Sequence, residues 1–445
     1  MKRTIAAKIE AETIVSIVKK VSVRIASVLG TGLALAAVMA AAKGTEAQNA
    51  SVVETLPRAD YERGWIRLFD GATTFGWRER GRQTWKVADG ALISVGDRPE
   101  RTSKEEADAQ ARNEPERKNL DALVSSTEFG DFDIRGECEV ESNAVLLMTL
   151  HAPADTGTPG KSAIPITFSL PQTEIPHGTI TRIMRAKNRV KFTIRIEGDK
   201  VITLDASGKP VTQLRRIRPG GRGIISLQSI GLGAVKMYSL DLRPLRQTPL
   251  FNGKDLTGWK AVEGHASVFG VNSDGNLSVH NGNGDLQTTS MWGDFALQLD
   301  VFSNGDHLNS GAFFRVEPGV FWGGYEAQIR SQWEGDDRSK PVDIGTGGIY
   351  NIQPARKVVS SDREWFTMTV IATGIHLGVW VNGYQTADVI DTRPADETNA
   401  RNGARTRAGV FGLQGHDPTT DLAFRNIRAV ELPSLKSKTD IKSPK

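Results

Sequence analysis

Cysteine is almost absent: Cys138 is the only one in 445 residues. A single thiol excludes any intrachain disulfide and any cysteine-rich zinc site, and Cys138 lies too far along the chain to be a lipidated leader cysteine. It falls in the strand-like run 133–140 and reads as a structural thiol. Net charge is also scarce. The formal total is +4, and the first 42 residues, with six basic and two acidic side chains, account for it. The remainder is near neutral, so it has no electrostatic footprint for nucleic acid or an acidic membrane surface. Long Ala/Leu/Glu/Lys-rich periodic stretches are missing beyond the N-terminus, whereas glycine is plentiful at 45 residues. That balance favours strands over helices.

The one long apolar run, residues 25–42, follows a basic region (Lys2, Arg3, Lys8, Lys19, Lys20, Arg24) and ends in Ala40, Ala41 and Ala42. It reads as a secretory signal with a long basic part, ending after Ala42 or Ala47. Residues 1–47 are then a leader, and the protein is exported to the periplasm or the cell exterior. The competing reading is one anchoring helix, for which the run is Ala/Gly-rich and short. No membrane contact is expected beyond the leader.

The chain exceeds what one hydrophobic core organises, so two domains are expected, and an internal repeat marks them. Leu68-Phe69-Asp70-Gly71 leads to Gly76-Trp77, and Leu250-Phe251-Asn252-Gly253 leads to Gly258-Trp259 with the same spacing. Each is followed by a strand pair with an Asp-Gly turn, Asp89-Gly90 and Asp274-Gly275, where the positive φ of a tight hairpin is available. Phe129-Gly130-Asp131-Phe132 matches Trp292-Gly293-Asp294-Phe295, and Gly223-Ile224-Ile225-Ser226-Leu227-Gln228 matches Gly409-Val410-Phe411-Gly412-Leu413-Gln414. One unit has been duplicated, with a join around 244–249. Short alternating runs broken by Gly, Asn and Asp, such as 367–381 entering Asn382-Gly383, predict an all-β chain of two tandem concanavalin-like jelly-roll sandwiches over 58–245 and 248–433. The charged stretch 98–118 reads as a solvated or partly helical insertion, and the tail 434–445 as disordered.

Candidate chemistry gathers in the second unit. Alternation puts Asn309, Gly311, Phe313 and Arg315 on one strand face, and Gly324, Glu326 and Gln328 on another. An inward Arg and Glu are costly unless paired or working. A buried Arg315–Glu326 ion pair and a functional pair are equally compatible with the sequence. Tyr350 and the His416-Asp417 pair are further candidates, although a lone His at a strand end is more often a surface residue. Trp322 and Trp333 read as exposed aromatic platforms. Aromatic faces beside carboxylate and amide groups suit sugars, with their apolar faces and hydroxyl edges.

Four ordered motifs then resemble a known family. Leu250-Phe251-Asn252-Gly253 through Gly258-Trp259, Asn309-Ser310-Gly311 with Arg315, Gly324-Tyr325-Glu326 with Gln328-Ile329, and Phe424-Arg425-Asn426-Ile427-Arg428 look like the 3-keto-disaccharide hydrolase family over 249–433. The resemblance implies a concanavalin-like jelly roll acting on sugars. The first unit resembles the family only at its ends: Asn143-Ala144-Val145 replaces Asn-Ser-Gly, Ile164-Pro165-Ile166-Thr167 has no carboxylate, and the place of His416 falls at Ile230 or Gly231. It is expected to be a degenerate, catalytically silent copy.

A sugar oxidised at C3 has an acidified C2 proton, so its glycosidic bond can break by elimination and then hydration. That needs a base near C2 and an electrophile near the ketone oxygen. Glu326 or His416 is the candidate base. Arg315 or a divalent cation is the candidate enolate stabiliser, and Asn309, Gln328 and Tyr350 are candidates to hold hydroxyls, with Trp322 and Trp333 as stacking platforms. His416, Asp417 and Glu326 could ligate a cation, but no ligand spacing marks one, so the cofactor stays unassigned. A conventional glycosidase needs two carboxylates about 5–5.5 or 6.5–9.5 Å apart, and no single strand supplies such a pair. The rival of another class is a non-catalytic, lectin-like glycan-binding module. The expected partner is a small-molecule or oligosaccharide substrate, and nothing in the sequence signals an oligomer.

Overall fold

The computed structural model describes residues 55–433 except 82–83, 95–121, 155–162, 170–181, 186–188, 216–220 and 397. The expected leader (1–47), the charged stretch 98–118 and the tail 434–445 lie outside the described residues. Among the described residues, no helix is long and apolar enough to cross a membrane.

In chain order the first unit contributes β1 (Ile66–Phe69), β2 (Trp77–Arg80), β3 (Trp85–Ala88), β4 (Ala91–Ser94), β5 (Ala122–Ser125), β6 (Phe132–Val140), β7 (Ala144–Ala152), β8 (Ile164–Ser169), β9 (Arg182–Arg185), β10 (Arg189–Glu197), β11 (Lys200–Leu204), β12 (Pro210–Arg215), β13 (Ile224–Gly231) and β14 (Val235–Pro244). The second contributes β15 (Thr248–Pro249), β16 (Trp259–Ala261), β17 (Val268–Val271), β18 (Leu277–His280), β19 (Gly284–Thr288), β20 (Phe295–Ser303), β21 (Ser310–Val316), β22 (Tyr325–Ile329), β23 (Trp333–Glu334), β24 (Asp337–Pro341), β25 (Trp365–Thr373), β26 (His376–Val381), β27 (Tyr384–Ile390), β28 (Val410–Gly415) and β29 (Asp421–Glu431).

Each unit is a sandwich of two sheets. The back sheet of the first runs β12-β11-β10-β6-β14-β4-β3 with β1 on β14, and its front sheet runs β2-β5-β13-β7-β8-β9. The second repeats this order strand for strand: β27-β26-β25-β20-β29-β18-β17 with β15 on β29 at the back, and β16-β19-β28-β21-β22 at the front. Among the described residues, only β9 and the separate β23-β24 ribbon lack a counterpart. The chain is thus two tandem jelly-roll sandwiches.

The repeated motifs have a local cause. Asp70 Oδ1 accepts from the backbone N–H groups of Ala72 and Thr73, and Asn252 Oδ1 accepts from those of Lys254 and Asp255. Both side chains therefore close the turn that their own backbone begins. The indole N–H of Trp77 then donates to Leu68 O, and that of Trp259 to Leu250 O at 2.8 Å. Gly76 and Gly258, at φ +80° and +86°, supply the left-handed step that brings each Trp back over its loop. The Asp89-Gly90 and Asn382-Gly383 turns likewise have positive φ at both residues, the conformation of a tight hairpin. Cys138 is buried in the first core, where burial pushes its thiol up to about 12.

The first unit covers the outer side of the second back sheet. Ala296, Ile371, Trp380 and Leu432 pack into the first unit's core cluster, and the Trp380 indole donates to Arg67 O at 3.1 Å. Arg356 pairs with Asp70 at 2.8 Å, its guanidinium 4.2 Å from the ring centres of both Phe75 and Tyr384. The front sheet of the second sandwich faces away from this seam and presents the polar face described next.

Candidate active site

Strand alternation builds that face. Leu286, Leu413, Ala312 and Ala327 point into the second core, so their strand neighbours point outward. These are Asp285 and Gln287 on β19, Gly412 and Gln414 on β28, Gly311 and Phe313 on β21, and Glu326 and Gln328 on β22. Pairing aligns them in two rows. One row is Gln287, Gly412, Phe313 and Glu326, with each residue paired to the next. The other joins Asp285 to Gln414 and Gly311 to Gln328. One step on from the Ala312–Leu413 pair, Gly311 stands opposite Gln414 and completes it.

Glu326, 3% exposed, lies at the end of the first row. Its Oε2 accepts from Arg401 Nη2 at 2.9 Å and from the Trp322 indole N–H at 3.1 Å. Arg401 lies 3.5 Å over the Trp322 ring and donates through Nε to Trp322 O at 2.7 Å. Tyr350 completes the cluster, its ring centre 6.0 Å from that of Trp322 and its backbone N–H on Glu326 O. Because Oε2 receives both donors, Oε1 is the oxygen left to carry or take a proton. Oε1 lies over Gly311, where a Cβ would come within 2.5 Å of it. The backbone N–H of Trp322 also reaches Asp285 Oδ2 at 3.2 Å, which Gln287 Nε2 joins at 3.1 Å.

Enclosure sets the electrostatics. Burial pushes Glu326 up to about 8; Arg401 pulls it down, and the nearby Asp343 and Asp285 add to the rise. Burial also pushes Asp285 up to about 6 and Arg401 down to about 10. Two carboxyls on one face are thereby held above the ordinary carboxylate range by loss of water. Such groups are commonest where proton transfer takes place.

A hydrogen-bonded chain borders the second row. Gln328 Nε2 lies 2.7 Å from Asn309 Oδ1, Asn309 Nδ2 lies 3.2 Å from His416 Nε2, and His416 Nδ1 lies 2.8 Å from Asp417 Oδ2. Glu326, Gln328, Asn309, His416, Tyr350 and Trp322 therefore come together around one face.

Arg315 does not join them. The register slips between Phe313 and Val316, and Arg315 sits at φ +52°, so the bulge rotates its side chain off the face that strict alternation assigns. It is fully buried and donates to Gly293 O, Gly374 O, Arg405 O and Asp294 Oδ1. The Arg315–Glu326 pair is replaced by Arg315–Asp294 and Arg401–Glu326. Trp333 lies on the separate β23-β24 ribbon, 3.9 Å under the Arg338 guanidinium. Asp285, Gln287, Gln414 and Arg401 are the members that sequence reading passed over. The alternation of Gly284-Asp285-Leu286-Gln287 held a signal for two of them; Arg401, in an irregular segment, had none. Among the described residues, no three His, Cys, Asp or Glu side chains are placed to hold a metal ion. His416 and Asp417 are instead bonded to each other, and Glu326 to Arg401.

The matching face of the first sandwich can be read through its own register. Leu123 pairs Leu227, Met148 pairs Leu227, and Met148 pairs Ile166, as Leu286 pairs Leu413, Ala312 pairs Leu413, and Ala312 pairs Ala327. Ala122 thus stands at the place of Asp285, Pro165 at Glu326, Thr167 at Gln328 and Leu147 at Gly311. Ile230 follows Gln228 as His416 follows Gln414. Neither carboxyl is present, and the glycine floor is filled.

Residues 246–429 match the family described as a 3-keto-alpha-glucoside-1,2-lyase-like domain. No curated protein matches the chain. Among solved structures, a Parabacteroides distasonis protein classed provisionally as a glycosyl hydrolase is 23% identical, covering 42% of this chain and 94% of its own, with a TM-score of 0.34. A carbohydrate-binding module from Bacillus subtilis is 16% identical, covering 40% of this chain and 97% of its own, with a TM-score of 0.30.

Proposed function

We propose that the second sandwich, a 3-keto-alpha-glucoside-1,2-lyase-like domain by its family match over residues 246–429, cleaves the glycosidic bond of 3-keto-glycosides by elimination and hydration. The observation that carries this reading is the buried Glu326, raised to about 8, held between an arginine and an indole donor. A base removing a weakly acidic C–H works best when it titrates near the operating pH. Glu326 Oε1 takes the C2 proton, and the electron pair it leaves is delocalised onto the C3 oxygen, where Arg401 supplies positive charge. The pair then returns to form the C1–C2 double bond as the C1–O1 bond breaks, and O1 leaves with the proton that Glu326 took, which restores the carboxylate. Water adds across the double bond, OH to C1 and H to C2, and the 3-keto sugar is released.

Glu326 lies beneath Arg401 and Trp322, so the sugar enters as the guanidinium moves off the indole. A pyranose face then takes its place on the ring. The first sandwich, with Pro165 and Ala122 at the carboxyl positions, is read as non-catalytic support.

A second reading has one observation in its favour: Asp285 and Glu326 come from different strands to the same residue, Trp322. Two carboxyls with separated pKa values are also the equipment of direct glycoside hydrolysis. Incubating the protein with trehalose, sucrose or maltose and their 3-keto forms, and following free sugar, separates the readings. Release from the oxidised forms alone is the expected result. Equal release from the parents would favour direct hydrolysis, and binding without release would favour a lectin-like module.

A further inference from the structure

Among the described residues, three buried acceptors on the second row have no donor: Asp285 Oδ1, Gln414 Oε1 and Gln328 Oε1. Their residues are 0%, 4% and 1% exposed. A buried acceptor without a donor loses the hydrogen bonds it had in water, so three in one row point to a ligand that brings donors. Asp285 and Gln328 stand three strands apart, roughly 14 Å at the usual strand spacing. That span is too wide for the shell of one cation, whose oxygen ligands sit about 2.3–2.6 Å away. It suits a polyhydroxylated ring lying across the strands.

The amide of Gln328 is held in one orientation from a distance. A carboxylate only accepts, so Asp417 Oδ2 requires the proton of His416 on Nδ1. Nε2 of the neutral ring is then an acceptor and takes Nδ2–H of Asn309. Asp343 Oδ2, 3.5 Å from the same Nδ2, favours the same orientation. Asn309 Oδ1 is left to accept from Gln328 Nε2, which turns Gln328 Oε1 to the row.

We propose that Asp285, Gln414 and Gln328 form a subsite for the unoxidised, hydroxyl-bearing ring beside the cleaved bond, and that Asp417, acting through His416 and Asn309, is the positioning residue that keeps the Gln328 carbonyl turned toward it. The inference rests on the 3-keto-glycoside reading for which ring lies where. A ketone brings only an acceptor, so it is repelled by this row and drawn to the Arg401 guanidinium. Intact hydroxyls donate to the row. The two rows are about 6.7 Å apart, two residues along a strand, of the order of the step between linked sugar rings.

The relay is tested by ¹⁵N NMR of the full chain, with the His416 ring assigned by comparison with His416→Gln. The Nδ1–H tautomer is expected in the neutral ring. In Asp417→Asn, Thr419 still donates to the Oδ1 position through its N–H and hydroxyl. The new amide NH₂ therefore faces His416 Nδ1, and the ring should switch to Nε2–H. An Nε2–H ring in the unmutated protein, or no switch in Asp417→Asn, overturns the relay. The subsite is tested by calorimetry with maltose and trehalose on Glu326→Gln, alone and combined with Gln328→Met or Gln414→Met. Each lost acceptor should weaken binding about three- to tenfold. Unchanged affinity in both combinations, or no binding of either sugar to Glu326→Gln, overturns the subsite. If the affinities shift as expected but unmutated protein leaves 3-keto-maltose intact, the elimination reading falls and the subsite stands. Cleavage of 3-keto-maltose with unchanged affinities gives the reverse.

Discussion

Glu326→Gln is expected to lower turnover of a 3-keto-disaccharide by about 10²–10⁴-fold, the range lost when a positioned general base is removed, while the protein stays folded. The amide keeps an oxygen for Arg401 and the Trp322 indole, so the cluster loses its proton acceptor and little else. The pH profile of the unmutated protein's turnover provides a second check. Glu326 titrates at about 8, far above its ordinary value, and only its ionised form can take a proton. The rate kcat/KM should therefore climb with rising pH and level off above about 8. The climbing limb should be absent from the residual activity of Glu326→Gln. A profile already flat from pH 6 upward, or a Glu326→Gln variant with full turnover, would remove Glu326 from the chemistry and leave the two-carboxylate and binding-module readings.

Much of the fold was legible because its signals are local. Asp-Gly and Asn-Gly turns need only two adjacent residues with positive φ, and the Leu-Phe-Asp/Asn-Gly to Gly-Trp motif closes on itself through an Asx turn and one indole hydrogen bond. Period-two alternation placed Glu326 with Gln328, and Gly311 with Phe313, because β22 and that part of β21 are regular. The same rule misplaced Arg315, since one bulge between Phe313 and Val316 changes the face of everything beyond it. Asp285 and Gln287 alternate with Leu286, yet polar residues on an alternating strand ordinarily face water. Only the sheet order, which sets β19 beside β28, brings them to the Glu326 face. Arg401 comes from an irregular segment with no period and reaches Glu326 across 75 residues of sequence. Its role follows from packing alone.

Arg315→Met should then behave as a stability variant. The guanidinium of Arg315 is fully buried and answers three backbone carbonyls and Asp294. Asp294 in turn meets Arg222 of the first unit, which pairs with Glu128 at 2.9 Å. Arg315 therefore ends an ion network that joins the sandwiches through Asp294. Methionine fills part of the volume but leaves the carbonyls without donors and Asp294 short of a partner. Removing one side of a buried pair costs about 3–5 kcal/mol, which should appear as a lower urea midpoint with the slope unchanged. Below that transition, kcat and KM per folded molecule should match those of the unmutated protein, because the side chain does not reach Glu326. Arg401→Met should show the opposite division. It removes the positive charge beside Glu326, which shifts the climbing pH limb upward and collapses turnover, while a stem partly stacked on Trp322 keeps the loss of stability small. If Arg315→Met instead lowered kcat in fully folded protein and Arg401→Met did not, the cation serving the reaction would be Arg315, and the bulge would have to relax when the sugar binds.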